Sequence, residues 1–153
     1  MTIRVASQDD HFRCVEMGIR FAENSPYADL QVDEAKVHEM VQTFLIGPKN
    51  KKIILLLLNE LDYPVGMLLG TIEEFLFNKK KIAAEVAWWV DPEYRGKNSL
   101  QLLEAYEYWA SMCGADVIQM SLLHDETKDK LDGIYKRRGY EPKETGYIKR
   151  TTG

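Results

Sequence analysis

The segment 82–123 contains a strand, a charged loop, a helix and a second strand in direct succession, and this succession most constrains the fold. The run EVAWWV is typical of a buried strand, and the helix predicted over 99–113 ends at Gly114, a common helix terminator. A second apolar strand follows over 116–123. Strands joined by a helix pair in parallel through a right-handed crossover, so the segment predicts an α/β chain with a parallel strand pair.

The other elements follow from hydrophobic periodicity and from glycine and proline stops. We predict strands over 2–6, 52–59, 65–77, 82–90, 116–123 and 147–149, and helices over 9–24, 33–46, 99–113 and 126–138. Gly66 and Gly70 in the third strand permit a bulge or a close backbone approach. The order β-α-α-β-β-β-α-β-α-β, without repeat or linker, predicts one domain over residues 1–153. Its sheet is mixed, an α+β arrangement within the α/β class, with helices on both faces.

The loop that opens the helix of the crossover has the composition of an anion site. Arg95, Gly96 and Lys97 lie after one apolar strand and before the apolar stripe of the next helix. The N-terminus of a helix exposes unpaired backbone N–H groups, and cations beside them favour a phosphate. A polar turn without a ligand is the alternative, but the flanking strand and helix favour phosphate binding.

Composition excludes several classes of function. A net charge of −4 over 153 residues argues against a general nucleic-acid binder. His11, His38 and His124 are scattered, so no metal site is predicted. Cys14 and Cys113 fall inside helical patterns, which favours reduced, buried thiols. With no signal peptide and no apolar run long enough to span a bilayer, we expect a cytoplasmic protein without membrane contacts.

Two motifs resemble those of the GCN5-related N-acetyltransferase (GNAT) family, and the likeness covers nearly the whole chain. The run V-D-P-E-Y-R-G-K opens one helix, and I-Y-K-R-R-G-Y closes the next. The loop pattern of the family, Gln/Arg-x-x-Gly-x-Gly/Ala, aligns with 95–100, where Asn98 and Leu100 replace both glycines. Asn98 is a tolerable replacement because asparagine adopts left-handed backbone conformations and caps helices, whereas Leu100 crowds a ligand unless it turns toward the core. The run R-G-K-N-S-L-Q-L-L-E-A-Y-E-Y-W-A also looks like the corresponding segment of small acetyltransferases found in phage genomes.

The resemblance implies a GNAT-like acyl-CoA N-acyltransferase fold and acetyl-CoA as cofactor. In the family, the strand matching 85–90 splays from the strand matching 117–123, and the pantetheine arm lies between them. Backbone groups of Trp89 and Val90 then pair with pantetheine. The diphosphate is held by the loop residues Arg95, Gly96, Lys97, Asn98, Ser99 and Leu100.

Tyr135 precedes Gly139 by four residues, which matches the Tyr-x-x-x-Gly-Phe/Tyr pattern of the closing helix of the family. By resemblance this tyrosine protonates the departing thiolate of coenzyme A. A phenol with a pKa of about 10 is close enough to a thiol with a pKa of about 8.5 for nearly balanced proton transfer. The alternative is an aromatic side chain on the core face of the helix.

A general base is required because an amine of pKa about 10 must lose a proton before it attacks a thioester. Several relatives place a glutamate where Glu85 lies, and a strand-end carboxylate in a salt bridge is the alternative for this residue. His124, after the next strand, is a second candidate, or a solvated turn histidine. Glu73, Glu74 and Tyr27 line the acceptor side in the family layout.

The sequence therefore predicts an acetyl-CoA-dependent N-acetyltransferase, an acyltransferase that works by direct attack in a ternary complex. The acceptor is a small amine or a protein or peptide amine, with no nucleic-acid partner. Dimers are common among relatives, which leaves a homodimer open, although no surface stripe requires one. The competing hypothesis is a binding or regulatory module that keeps the fold without turnover, because both motif glycines are missing.

Overall fold

Five strands and four helices make up the computed structural model, which describes residues 1–151. In chain order they are β1 (Thr2–Val5), α1 (His11–Glu23), α2 (Glu34–Ile46), β2 (Lys52–Leu58), β3 (Pro64–Glu74), β4 (Lys81–Val90), α3 (Leu100–Met112), β5 (Val117–Gln119) and α4 (Lys128–Arg137). This order confirms the predicted succession of elements up to the last helix. It also confirms the mixed α+β class.

The sheet runs in the order β1-β2-β3-β4-β5. The first four strands pair antiparallel, and β5 pairs with β4 in parallel, from Ile82 opposite Val117 to Ala84 opposite Gln119. Helix α3 connects these two strands, so the predicted parallel crossover is confirmed. A shift of register in β3 leaves Gly70 opposite Glu85 and Leu69 opposite Ala87, which makes Val86 the extra residue of a β-bulge.

Helices cover both faces of the sheet, as predicted. On one face, alternate strand residues such as Leu56, Met67 and Trp89 form a single buried cluster with α1 and α2. On the other face α3 contacts β2 and β3. There the backbone approaches closely, because a Cβ at Gly70 would lie 2.9 Å from a ring carbon of Tyr106. The prediction of a close approach at the glycines of β3 is therefore confirmed.

The described chain divides into two units, residues 1–121 and residues from 122 onward. The strand predicted over 147–149 is wrong, since no strand forms there and Tyr147 and Ile148 are 91% and 57% exposed. β-propensity depends on packing against neighbouring strands, so a short apolar stretch does not by itself make a strand. The strand predicted over 116–123 is real but shorter. Within residues 1–151, no helix is both long and apolar enough to cross a bilayer.

Candidate active site

The edge of β4 is open beyond its short pairing with β5. The parallel ladder ends at Ala84, while β4 continues to Val90 with β3 as its partner on the other side. In the part of the chain that the structure describes, residues 85–90 therefore have a strand on one side and none on the other. An extended ligand can add to such an edge through backbone hydrogen bonds. The position agrees with the expectation that Trp89 and Val90 pair with pantetheine, which stays a prediction.

Glu85 lies where the two parallel strands separate. The Ser121 N–H donates a hydrogen bond to its Oε1 at 3.1 Å. Burial raises the pKa of the Glu85 carboxyl to about 7, and the Ser121 hydrogen bond opposes this shift. A carboxyl group that titrates near neutrality can take up a proton and release it again at physiological pH.

The loop between β4 and α3 contains two short 3-10 turns, Pro92–Tyr94 and Lys97–Ser99. Between them Gly96 has φ 127°, a left-handed conformation that favours glycine. The Ser99 N–H bonds to the Gly96 carbonyl at 3.1 Å, and the Leu100 N–H is also bonded within the loop. Within residues 1–151, the N–H groups of Gly96, Lys97 and Asn98 form no hydrogen bond. Of the six predicted amides, these three are available to an anion.

Two cations belong to this loop. The Arg95 Nε donates to the Val90 carbonyl at 2.8 Å, and its guanidinium lies over the Trp89 ring, 4.8 Å from the centroid. Arg95 is thus turned back onto its own strand, where it occupies one acceptor of the open edge. Lys97 is exposed at the start of the second turn. Lys97 is therefore the more adaptable of the two charges.

The two replaced motif glycines differ in their effect on the loop. Asn98 does not adopt the left-handed conformation that would make asparagine a substitute for glycine, because Gln31 and Asp62 are the described non-glycine residues with positive φ. Its side chain instead accepts a hydrogen bond from the Gln101 Nε2 at 3.3 Å. Leu100 is the first residue of α3 and is partly buried. Gly96 supplies the left-handed position of the loop.

Asp91, at the end of β4, is a site residue that sequence reasoning missed. It is 8% exposed, and its carboxylate accepts hydrogen bonds from Arg13 Nη2 at 2.6 Å, Arg20 Nη1 at 3.2 Å and Trp89 Nε1 at 2.9 Å. The arginines lie on α1, more than seventy residues earlier in the chain. The sequence shows only a single acidic residue between an apolar strand and Pro92, and this pattern does not indicate which residues pair with it.

Tyr135 belongs to α4 in the second unit, where its side chain is buried. Its ring lies 5.5 Å from that of Tyr140 at an interplanar angle of 51°. Gly139 has φ 92° and follows the end of the helix, as its position in the motif predicts. A buried aromatic ring is compatible with both readings of the sequence, so the acid role stays a prediction.

The remaining predicted side chains lie in solvent. His124 is exposed, and so are Glu73, Glu74 and Tyr27, the residues expected on the acceptor side.

Within residues 1–151, no group of three or more metal-ligating side chains has the geometry of a metal site. Trp88 and Trp89 differ as expected for adjacent strand positions: Trp89 lies in the cluster with α1 and α2, whereas the Nε1 of Trp88 is buried and has no hydrogen-bond partner among the described residues.

No protein-family model matches the chain, and no curated protein matches it by sequence. Solved structures do match it over nearly the whole length of both chains. A probable acetyltransferase has a TM-score of 0.78 at 15% identity and covers 100% of this chain and 99% of its own. The aminoglycoside N-acetyltransferase AAC(6′)-Iy in complex with CoA has a TM-score of 0.75 at 12% identity, with 99% and 95% covered.

A GNAT family acetyltransferase from Staphylococcus aureus matches with a TM-score of 0.68 at 15% identity, over 97% of each chain. Identities this low carry information on architecture alone. These structural matches agree with the strand order, the open edge of β4 and the loop before α3. The chain therefore has the fold of the GNAT acetyltransferases.

Proposed function

We propose that this protein is an acetyl-CoA-dependent N-acetyltransferase that acts on a primary amine by direct attack in a ternary complex. One observation carries the proposal: the open edge of β4 leads into a loop whose Gly96, Lys97 and Asn98 amides form no hydrogen bond within the described chain. An extended amide-containing arm suits the first feature, and a diphosphate suits the second. Coenzyme A contains both groups. The likeness to acetyltransferase structures supports the same reading.

The loop would hold the phosphates through its backbone. The three amides follow one another and lie directly before α3, whose N-terminus carries partial positive charge, a combination that suits an anion. Lys97 adds a full charge from the same turn. Backbone groups at 85–90 would pair with the pantetheine arm, although the Val90 carbonyl already accepts from Arg95. When bound, acetyl-CoA supplies an activated acetyl group as a thioester.

Glu85 would serve as the general base. Its raised pKa, about 7, lets the carboxylate accept a proton from an ammonium group, directly or through water, without remaining permanently protonated. Glu85 follows the end of the β4–β5 ladder, beside the open part of β4 where the thioester arm would lie. Loss of that proton converts the acceptor into a nucleophile.

Tyr135 would serve as the general acid. A phenol can donate a proton to a departing thiolate at little cost because their proton affinities are similar. This role rests on the motif spacing to Gly139 and on the burial of the side chain. Burial keeps a phenol from exchanging freely with water, which suits a positioned acid.

The acceptor is proposed to be a cationic small amine or a peptide amine. The net charge of −4 favours cationic ligands. Two of the similar structures are named aminoglycoside acetyltransferases, which makes aminoglycosides a sensible first group of acceptors to test. Polyamines and lysine-containing peptides complete the panel.

A regulatory module without turnover is the second candidate, and Leu100 is the observation that favours it. This residue stands at a motif glycine and is only partly buried, and its side chain would reduce the room for a ligand beside the loop. In that case the protein would bind coenzyme A and transfer nothing.

Thiol release in the presence of acetyl-CoA and the amine panel tests the proposal. We expect acceptor-dependent release of coenzyme A that is strongly reduced in Glu85→Gln and Tyr135→Phe. Thermal stabilisation by acetyl-CoA without thiol release from any acceptor would favour the regulatory module. Absence of both signals would contradict cofactor binding.

A further inference from the structure

We propose that Asp91 is a positioning residue for the ligand-binding loop: its buried carboxylate fixes the end of β4 to α1 and thereby holds the Gly96–Asn98 amides in place. The inference rests on the proposed function, because the loop is taken to bind the diphosphate of acetyl-CoA. Asp91 itself touches no ligand in this scheme. It acts through Trp89, Arg95 and the backbone that follows it.

The first step is the anchoring of Asp91. Its N–H donates to the Val65 carbonyl at 2.8 Å, which ties its backbone to β3. Its side chain accepts from Arg13 and Arg20 of α1. Pro92 follows directly, and its ring restricts φ. The direction in which the chain leaves the sheet is therefore fixed by the Asp91 backbone hydrogen bond and by Pro92.

The second step leads from the carboxylate to the loop. The Trp89 Nε1 donates to the Asp91 Oδ1 at 2.9 Å, and this bond fixes the rotation of the indole. The guanidinium of Arg95 lies on that indole at 4.8 Å, while the Arg95 Nε holds the Val90 carbonyl. Arg95 is the residue immediately before Gly96. The orientation of Trp89 is thereby transmitted to the start of the three unbonded amides.

Charge explains why an acid is required. The Arg13 side chain is 11% exposed and also pairs with Glu16, whereas the Arg20 side chain is 43% exposed. An amide at position 91 could still accept a hydrogen bond but would leave the buried guanidinium of Arg13 without its second carboxylate. The hydrogen bonds among Asp91, Arg13, Arg20 and Trp89 would then weaken or rearrange, and the end of β4 from which the loop starts would no longer be held in place.

The experiment compares Asp91→Asn with a matched control, Asp10→Asn. Asp10 is equally buried, at 6% exposure, and accepts two bonds from Arg4 at 2.7 and 2.9 Å, but it lies before α1 and far from the loop in sequence. We expect Asp91→Asn to raise the KM for acetyl-CoA at least tenfold, with kcat and the KM for the amine within threefold of wild type. Asp10→Asn should change none of the three constants.

A second readout does not depend on turnover. Backbone ¹⁵N order parameters at Gly96–Asn98 should fall from near 0.85 in the wild type to below about 0.6 in Asp91→Asn and remain unchanged in Asp10→Asn. If Asp91→Asn does not fold, Trp89→Phe keeps an aromatic ring in the cluster but removes the Nε1–H donor together with the five-membered ring, and the same two changes are expected in weaker form.

The outcomes separate the two proposals. Wild-type protein that binds no acetyl-CoA contradicts the proposed function, whereas the order parameters still decide whether Asp91 holds the loop. Variants of Asp91 and Trp89 that keep the wild-type KM and wild-type order parameters overturn the inference alone. A fall in kcat at constant KM, with a rigid loop, also overturns it, because that pattern indicates general damage to the fold.

Discussion

Replacing Glu85 by glutamine should stabilise the protein at alkaline pH. The pKa of the carboxyl is raised from its ordinary value of 4.5 to about 7 by burial, a difference of about 2.5 pH units. Each unit corresponds to about 1.36 kcal/mol, so ionising Glu85 in the folded state costs about 3 kcal/mol. The substitution keeps the shape of the side chain, and a glutamine Oε1 can still accept the hydrogen bond of Ser121.

The sign follows from proton binding. Below pH 4.5 Glu85 is protonated in both states, so its carboxyl does not alter the free energy of unfolding. As the pH rises from 4.5 to 7, the unfolded chain loses the proton that the folded chain keeps, and stability falls. Above pH 7 the whole penalty is present. Glu85→Gln carries no such penalty, so its advantage grows over this range and then stays constant.

Urea denaturation at pH 5 and pH 8 provides the assay. We expect an advantage below about 1 kcal/mol at pH 5 and of about 3 kcal/mol at pH 8, which corresponds to roughly 6–12 °C in Tm. Glu104→Gln is the matched control, because Glu104 is exposed on α3 and its removal takes away no buried carboxylate. An advantage of equal size at both pH values, or none at pH 8, would refute the claim that burial raises the pKa of Glu85.

Three further predictions concern packing and turnover. Gly70→Ala should lower the free energy of unfolding by about 1–3 kcal/mol, because the new Cβ lies 2.9 Å from the buried Tyr106 ring. The control Gly133→Ala in α4 should leave this free energy unchanged or raise it, because alanine favours a helix more than glycine does. The midpoints of urea denaturation measure both changes. Tyr135→Phe should reduce kcat about a hundredfold with little change in the KM for acetyl-CoA, and full activity in a thiol-release assay would remove the acid role. The wild-type kcat should rise about tenfold per pH unit below pH 7 and level off above it; a Glu85→Gln profile of the same shape would contradict the base role.

Local chemistry made most of the fold predictable. Asp33 caps α2 by accepting the Lys36 N–H at 3.3 Å, and Gly47 lies where the same helix ends. The boundaries predicted for this helix, 33–46, differ from the observed Glu34–Ile46 by one residue. Such signals are carried by neighbours in sequence, so a single sequence is sufficient to read them.

Features that depend on distant partners were not predictable. The strand predicted over 116–123 shortens to Val117–Gln119 because β4 pairs with three of its residues, a limit that apolar alternation does not express. Asp91 shows the same limit in the site, since its partners Arg13 and Arg20 lie 78 and 71 residues earlier in the sequence. The motif spacing located the loop, but which of its amides are unbonded is visible in the structure alone.

Titration calorimetry with acetyl-CoA and acetyl-pantetheine tests the central claim most directly, because the two ligands share the thioester arm and only acetyl-CoA carries the phosphates, together with the adenosine attached to them. If the Gly96–Asn98 amides and Lys97 hold the diphosphate, acetyl-CoA should bind at least tenfold more tightly, and Lys97→Ala should narrow the difference. At a concentration 100 times its Kd, acetyl-CoA should also stabilise the fold by about 2.7 kcal/mol. Equal affinities for the two ligands, or no heat with acetyl-CoA, would contradict the account.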